Sequence, residues 1–298
     1  MVNKNFYRFI LVALILFPTI TFSANIEIET KSNVIHVGDT VVIDVVMDTE
    51  KTTLNLVEGS INIGGSPSAV EVLEVSLSGS PLTLWPGKPS VTAHGSIISF
   101  VGGTPNGFNS SKSVLFKVVL VARGAGKVVL SPAKIKAYIN DGKGTIATVR
   151  LNSTEIDIIE ADKNVQPIND WSTMLSEDKT PPEKFSITLG QDASVYDNQK
   201  FISFYAEDLD SGVDYYEVKE GDFEKVRSSN TYVLKEQDKD QVILVSAVDK
   251  AGNIRNVEFR SSEHSKNIKA AVFFAVLFFS VLFIIARMVR GYYRVNKN

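Results

Sequence analysis

The side chains best suited to hold a metal ion form one acidic loop. Glu207, Asp208 and Asp210, with Asp214 close behind, supply carboxylate oxygens of the kind that Ca²⁺ prefers. Their spacing differs from that of an EF-hand loop, and Asp residues in turns commonly accept hydrogen bonds from backbone amides without any ion. The pattern therefore indicates turn capping first and leaves Asp208, Asp210 and Asp214 as calcium candidates. No other cofactor is predicted.

No motif indicates catalysis. The three histidines, His36, His94 and His264, are scattered, and none has the spacing that places two imidazoles on one metal ion. The sequence has no G-x-S-x-G motif and no P-loop, and the absence of cysteine removes thiolate zinc sites and cysteine nucleophiles. We therefore predict that the protein is not an enzyme. A glycoside hydrolase, which needs only a pair of carboxylates, stays as a remote alternative.

Aromatic residues beside glycine-rich loops suggest a binding surface. Trp85 and Phe108 bound a stretch rich in glycine and proline, and Asn106 lies in its last loop. Exposed rings of this kind can stack on sugars or anchor a protein partner, so Trp85, Asn106 and Phe108 are the candidate ligand-binding residues. The alternative, which the neighbouring leucines Leu82 and Leu84 favour, is that Trp85 plugs the open edge of a sandwich.

Length and charge limit the class of protein. At 298 residues, with 44% of them hydrophobic, the chain is long enough for about two domains. Its net charge of −3 argues against nucleic acid as a partner, because binding phosphates requires a basic face.

The N-terminus has the pattern of a signal peptide. Lys4 and Arg8 precede an apolar run over residues 9–17, and the small residues Thr21 and Ser23 stand at the −3 and −1 positions of a cut before Ala24. We expect residues 1–23 to form this peptide.

The C-terminus has the pattern of a membrane anchor. Residues 270–286 are uncharged and apolar, and four basic residues with no acidic one among them follow: Arg287, Arg290, Arg294 and Lys297. The sequence predicts a transmembrane helix over residues 268–288 and a cytoplasmic tail over 289–298. The domains before the helix are then extracytoplasmic, and the protein is a single-pass protein of the cell membrane.

Between these ends the sequence predicts two sets of β-strands. Val41, Ile43, Val45 and Met47 alternate with more polar residues, and similar short segments recur between Gly, Pro, Asn and Asp turns. This spacing predicts an antiparallel β-sandwich over residues 24–160. A charged, proline-containing linker is predicted over 161–182, and a smaller set of strands over 183–260.

The order of motifs in the first set resembles a bacterial cohesin-type domain. The segments that carry the resemblance are VGDTVVIDVVMDT, NLVEGSINI, VLEVSLSGSPLTLWP, ISFVGGTPNGF, LFKVVLVARGAGKVVLS and NDGKGT, and it covers roughly residues 25–158. It implies a jelly-roll sandwich related to carbohydrate-binding modules and a dockerin module as partner. The chain departs from cellulosomal scaffoldins in having one such domain, no dockerin-like calcium loop and no obvious cellulose-binding module.

The second set of strands resembles bacterial Ig-like surface domains. The segments EDLDSGVDYYEV and VSAVDKAGNIRNVEF carry this resemblance, and the second contains a D-x-A-G-N turn. Asp249 can accept hydrogen bonds from the amides of this turn, while Gly252 and Asn253 tolerate positive φ. We interpret this domain as a spacer.

These features predict an all-β protein with a jelly-roll head, a smaller Ig-like sandwich and one C-terminal transmembrane helix. We expect a membrane-anchored bacterial cell-surface protein whose head binds a protein module or a polysaccharide by non-covalent contacts. The alternatives are a carbohydrate-binding module proper and a structural adhesin or envelope scaffold.

Overall fold

A computed structural model describes residues 23–92, 95–162, 164 and 166–260. Residues 1–22 of the predicted signal peptide, the predicted transmembrane helix and the predicted tail lie outside these described residues, as do His94 and His264. Within the described ranges, no helix combines the length and the apolar character needed to span a membrane.

The described chain forms two compact units. The head unit comprises the described residues up to Glu183 together with two short segments, Glu207–Asp214 and Asp249–Asn253. The second unit comprises Lys184–Ala206, Tyr215–Val248 and the described residues from Ile254 onward.

Eleven strands build the head unit: β1 (Ser23–Thr30), β2 (Val34–His36), β3 (Thr40–Asp48), β4 (Leu54–Gly65), β5 (Val70–Ser76), β6 (Leu84–Val91), β7 (Ile97–Phe108), β8 (Ser113–Ala122), β9 (Gly126–Ile139), β10 (Ile146–Leu151) and β11 (Thr154–Ile159). They pair in the order β5-β8-β3-β1-β10-β9-β4-β7-β6, and β11 joins β9 to β2. The β1–β10 and β2–β11 pairs are parallel, whereas the neighbours β3–β8, β4–β7 and β4–β9 are antiparallel.

The core lies between two layers of these strands. Phe100 on β7 and Phe116 on β8 belong to strands that are not paired, yet their ring centroids are 4.9 Å apart in an edge-to-face contact. Ile43, Val45 and Met47 of β3 are buried in the same cluster, as the alternation predicts. The all-β class is confirmed.

The segment predicted as a linker contains a helix, α1 (Asp170–Glu177). Asn169 caps it, because its side-chain oxygen accepts a hydrogen bond from the Ser172 amide at 2.8 Å. Asn169 also forms a β-bridge with Thr40, so the helix begins against β3 of the head unit.

The second set of strands forms two sheets. Strands β12 (Ile187–Gly190), β13 (Phe201–Phe204) and β16 (Thr231–Val233) pair in the order β12-β13-β16. Strands β14 (Val213–Glu220), β15 (Val226–Ser228), β17 (Val242–Asp249) and β18 (Ile254–Arg260) pair in the order β15-β14-β17-β18. Phe204 on β13 contacts Tyr216 on β14 at 5.0 Å between ring centroids, so the two sheets pack face to face.

One buried carboxylate organises a loop of the second unit. Glu220 accepts hydrogen bonds from the Tyr232 hydroxyl at 2.9 Å and from the backbone amides of Lys235 at 2.8 Å and Glu236 at 2.9 Å. The Gln241 side chain is a further donor to it. Burial and the bond to Glu220 raise the pKa of the Tyr232 hydroxyl far above its ordinary value.

We expect Glu220→Ala to lower the free energy of unfolding by about 3 kcal/mol, because it removes the shared acceptor of several partly buried donors. Glu217→Ala, which removes an exposed ion pair with Lys225, serves as the control and should cost less than about 1 kcal/mol. Urea unfolding measures both, and hydrogen exchange at the amides of Lys235 and Glu236 locates the change. Equal effects of the two substitutions would contradict the role given to Glu220.

Candidate binding face

Strands β6, β7, β4 and β9 are consecutive neighbours, and one side of this layer points away from the core. Successive side chains on a strand alternate between the two sides. We call this side the outer face and define it by two grooves that lie on it.

The first groove has a volume of about 750 Å³. All four strands contribute to its lining: Glu58, Gly59, Gly87, Lys88, Ser90, Ser99, Phe100, Val101, Lys134, Ile135 and Lys136. We call it the lysine groove, because three of these residues are lysines and one is a glutamate.

The charges of the lysine groove are only partly paired with each other. The Lys136 ammonium donates to Glu58 at 2.9 Å, and the Tyr138 hydroxyl donates to the same oxygen at 3.2 Å. The hydrogen bond from Lys136 lowers the pKa of the Glu58 carboxyl, and the same bond raises the pKa of Lys136. Lys88 and Lys134 are exposed, so the groove carries an excess of positive charge.

The second groove has a volume of about 350 Å³ and is mostly apolar. It is lined by Asn55, Leu56, Leu84, Pro86, Gly103, Thr104, Pro105, Tyr138, Ile139, Gly142 and Gly144, and we call it the leucine groove. Leu84, on the edge strand β6, is 55% exposed. The exposed leucine extends the apolar surface of this groove, and contiguous exposed apolar patches mark sites of protein–protein interaction.

One residue that lines the leucine groove, Gly103, must be glycine because β7 and β4 approach closely there. A Cβ atom on Gly103 would lie 2.8 Å from the Asn55 carbonyl oxygen, which is closer than real Cβ atoms approach. Only glycine therefore allows β7 and β4 to pair at this position without a shift.

Trp85 and Phe108 lie on the core side of the head unit. The Trp85 indole N–H donates to the Leu82 carbonyl at 2.9 Å, and its ring packs against the core. A Cβ atom on Gly102 would be 2.6 Å from this ring, so the glycine makes room for it. Phe108 is buried. Of the three predicted ligand-binding residues, Asn106 alone is exposed, and its carbonyl accepts a hydrogen bond from the Asn140 side chain at 3.1 Å.

The outer-face residues that sequence reasoning missed had a usable signal. Leu84 precedes Trp85, so burying one of them on a strand exposes the other. The same alternation places Lys136 and Tyr138 of β9 on one side and Ala137 on the other.

The three predicted calcium candidates, Asp208, Asp210 and Asp214, differ in burial. Asp208 is buried, and its Oδ1 accepts hydrogen bonds from the amides of Ser211 at 2.9 Å and Gly212 at 2.7 Å, which is turn capping. Asp210 and Asp214 are exposed. Burial, with the nearby negative charges of Asp178 and Asp249, raises the pKa of the Asp208 carboxyl.

We expect Trp85→Ala to lower the free energy of unfolding by about 2–4 kcal/mol, because it removes a large ring that packs against the core. Leu84→Ala, one residue earlier but exposed, should change it by less than about 0.5 kcal/mol. Urea unfolding followed by circular dichroism compares the two variants. If Trp85→Ala leaves stability unchanged, the ring does not close the sandwich edge.

Comparison with known proteins returned solved structures only: no family model matches the sequence, and neither does any curated protein. A cohesin module from a Clostridium perfringens family 33 glycoside hydrolase matches with 19% identity and a TM-score of 0.40, over 47% of this chain and 100% of its own. A non-cellulosomal cohesin from the archaeon Archaeoglobus fulgidus matches with 22% identity and a TM-score of 0.33, over 47% of this chain and 91% of its own. A type II cohesin domain from Acetivibrio cellulolyticus matches with 11% identity and a TM-score of 0.36, over 46% and 95%. All three of these structures are cohesin modules, the family that the motif order of residues 25–158 resembles. The Ig-like resemblance of residues 183–260 stays a prediction.

Proposed function

We propose that the head unit binds a protein module, without catalysis, through the outer face of strands β6, β7, β4 and β9. The observation that carries the proposal is the juxtaposition of the lysine groove and the leucine groove on one continuous layer. A rigid sheet face of this kind presents apolar anchors and charged groups at fixed positions, which is what a specific interface requires.

The chemistry of the grooves favours a protein over a polysaccharide. Sugar rings stack on exposed aromatic faces. Two aromatic residues line the described grooves, Phe100 and Tyr138; Phe100 is buried, and the Tyr138 hydroxyl is held by Glu58. Trp85, the ring on which the carbohydrate alternative rested, packs against the core.

The proposed partner is a dockerin-type module, which is the partner that the cohesin resemblance of the sequence implies. We expect its contact surface to carry an aliphatic patch that fits against Leu84, Pro86 and Leu56. Carboxylates beside that patch would meet the excess of lysines and speed association by electrostatic attraction.

The proposed setting is the outer surface of a cell. This setting is supported by the basic residues after the apolar run of 270–286 and by the N-terminal signal pattern. The described residues would then lie outside the membrane and residues 289–298 in the cytoplasm. The second unit then serves as a spacer between the head and the membrane.

The proposal is tested with a panel of purified dockerin modules and with insoluble cellulose and chitin, each offered to the full-length chain. We expect one or more dockerin modules to bind, and Leu84→Asp to weaken that binding at least about tenfold, since it places a charge in an apolar contact. Lys136→Glu should slow association and reduce its dependence on salt.

The matched control is Leu73→Asp, because Leu73 is 54% exposed but lies on β5 in the other layer. This variant should bind as the native chain does. Retention on a polysaccharide without binding to any module, or equal losses in the Leu84 and Leu73 variants, would contradict the proposal.

A further inference from the structure

Three buried carboxylates from distant parts of the chain meet in the head unit. Asp178 caps the C-terminal end of α1, Asp208 lies in the predicted acidic loop, and Asp249 begins the D-x-A-G-N turn. One oxygen from each lies within 4.8 Å of the other two. The residues are 5%, 6% and 2% exposed, respectively.

The hydrogen bonds around these carboxylates do not neutralise them. Asp178 accepts from the Thr180 amide at 2.9 Å, and Asp249 accepts from the Asn253 amide at 2.8 Å and from the Asn253 side chain at 2.9 Å. These donors are uncharged. None of the salt bridges among the described residues involves the three aspartates, and the nearby Lys250 pairs with Glu74. Buried charges of one sign without a counter-ion are costly.

A separate observation concerns Ser211. Its amide donates to Asp208 at 2.9 Å and to Asp178 at 3.2 Å, so the residue sits against both carboxylates. Its side chain is fully buried, and its hydroxyl oxygen has no hydrogen-bond partner among the described residues. Buried hydroxyls nearly always have a partner, and one left without it indicates a missing water or ion.

We propose that Asp178, Asp208 and Asp249 form a calcium site, with the Ser211 hydroxyl as a further oxygen ligand and water completing the shell. The ligand set contains only oxygen, which suits a hard cation and not zinc or copper. Ca²⁺ holds its ligands at about 2.3–2.6 Å, so oxygens up to about 4.8 Å apart can share one ion, whereas the shorter bonds of Mg²⁺ require closer oxygens.

The site would fasten three segments of the head unit together. Bound calcium would link the end of α1, the loop from Glu207 to Gly212 and the turn from Asp249 to Asn253. It would also remove the repulsion among the three carboxylates, so it should stabilise the folded state in proportion to calcium concentration. Asp210 and Asp214, the other acidic residues of the loop, are exposed and would take no part.

The test titrates CaCl₂ into the full-length chain, purified in a non-ionic detergent and stripped with EGTA. We expect one equivalent of calcium to bind by calorimetry, within a range of about 10 μM to 5 mM, and the thermal midpoint to rise with calcium. MgCl₂ should raise it less. A native chain that binds no calcium in this range overturns the proposal.

Two substitutions separate a metal site from turn capping. Asp208→Asn should abolish the calcium-dependent rise, and Asp210→Asn, in the same loop, should keep it in full; equal responses overturn the ligand set. Ser211→Ala keeps every carboxylate and should weaken calcium binding about tenfold or more. If Asp208→Asn does not fold, the Ser211 variant decides, and an unchanged affinity in it counts against the site as proposed.

Discussion

The head unit depends on the way the Trp85 ring closes the sandwich at its edge strand. The ring lies over Gly102, donates its N–H to Leu82 and packs against the core, so strand β6 is held to β7 although two prolines interrupt its hydrogen bonding. Because a strand alternates, the inward, partly buried Trp85 ring fixes the outward direction of Leu84 on the outer face.

The proposed binding surface and the core-facing side chains thus lie on opposite sides of the same four strands. The inner side supplies Phe100, Ile98 and Ile61 to the core, and the outer side supplies the lysine groove and the leucine groove. Such an arrangement needs no mobile loop to form the interface. Substitutions on the inner side should therefore lower the stability of the head unit, whereas substitutions on the outer side should weaken only the proposed binding to a partner.

Much of the fold followed from local pattern, because strand periodicity is a local property. The alternation of β3 placed Ile43, Val45 and Met47 in the core. The side on which Trp85 lies was not decidable, because alternation places Leu84 and Trp85 on opposite sides of β6 but does not tell which side faces the core. The register shifts of β6 between Leu84 and Gly87, and between Gly87 and Ser90, interrupt the pattern further along the strand.

The cluster of Asp178, Asp208 and Asp249 could not be predicted from local sequence at all. Asp208 was singled out by its neighbours in sequence, Asp210 and Asp214, yet its neighbours in space are Asp178 and Asp249. These lie thirty or more residues away, one in the segment predicted as a linker and one in a turn motif. Only the tertiary fold brings the three together. Helix α1, which ends just before Asp178, has eight residues and is too short to give a clear helical period in the sequence.

The most direct test of the central claim is amide hydrogen exchange of the full-length chain with and without a saturating dockerin module. The outer-face account predicts that the module slows exchange in strands β6 and β7, around Leu84 to Val91 and Ile97 to Pro105, and leaves β5 and β8 unchanged. Protection confined to β5 and β8, or absent from the head unit, would contradict it.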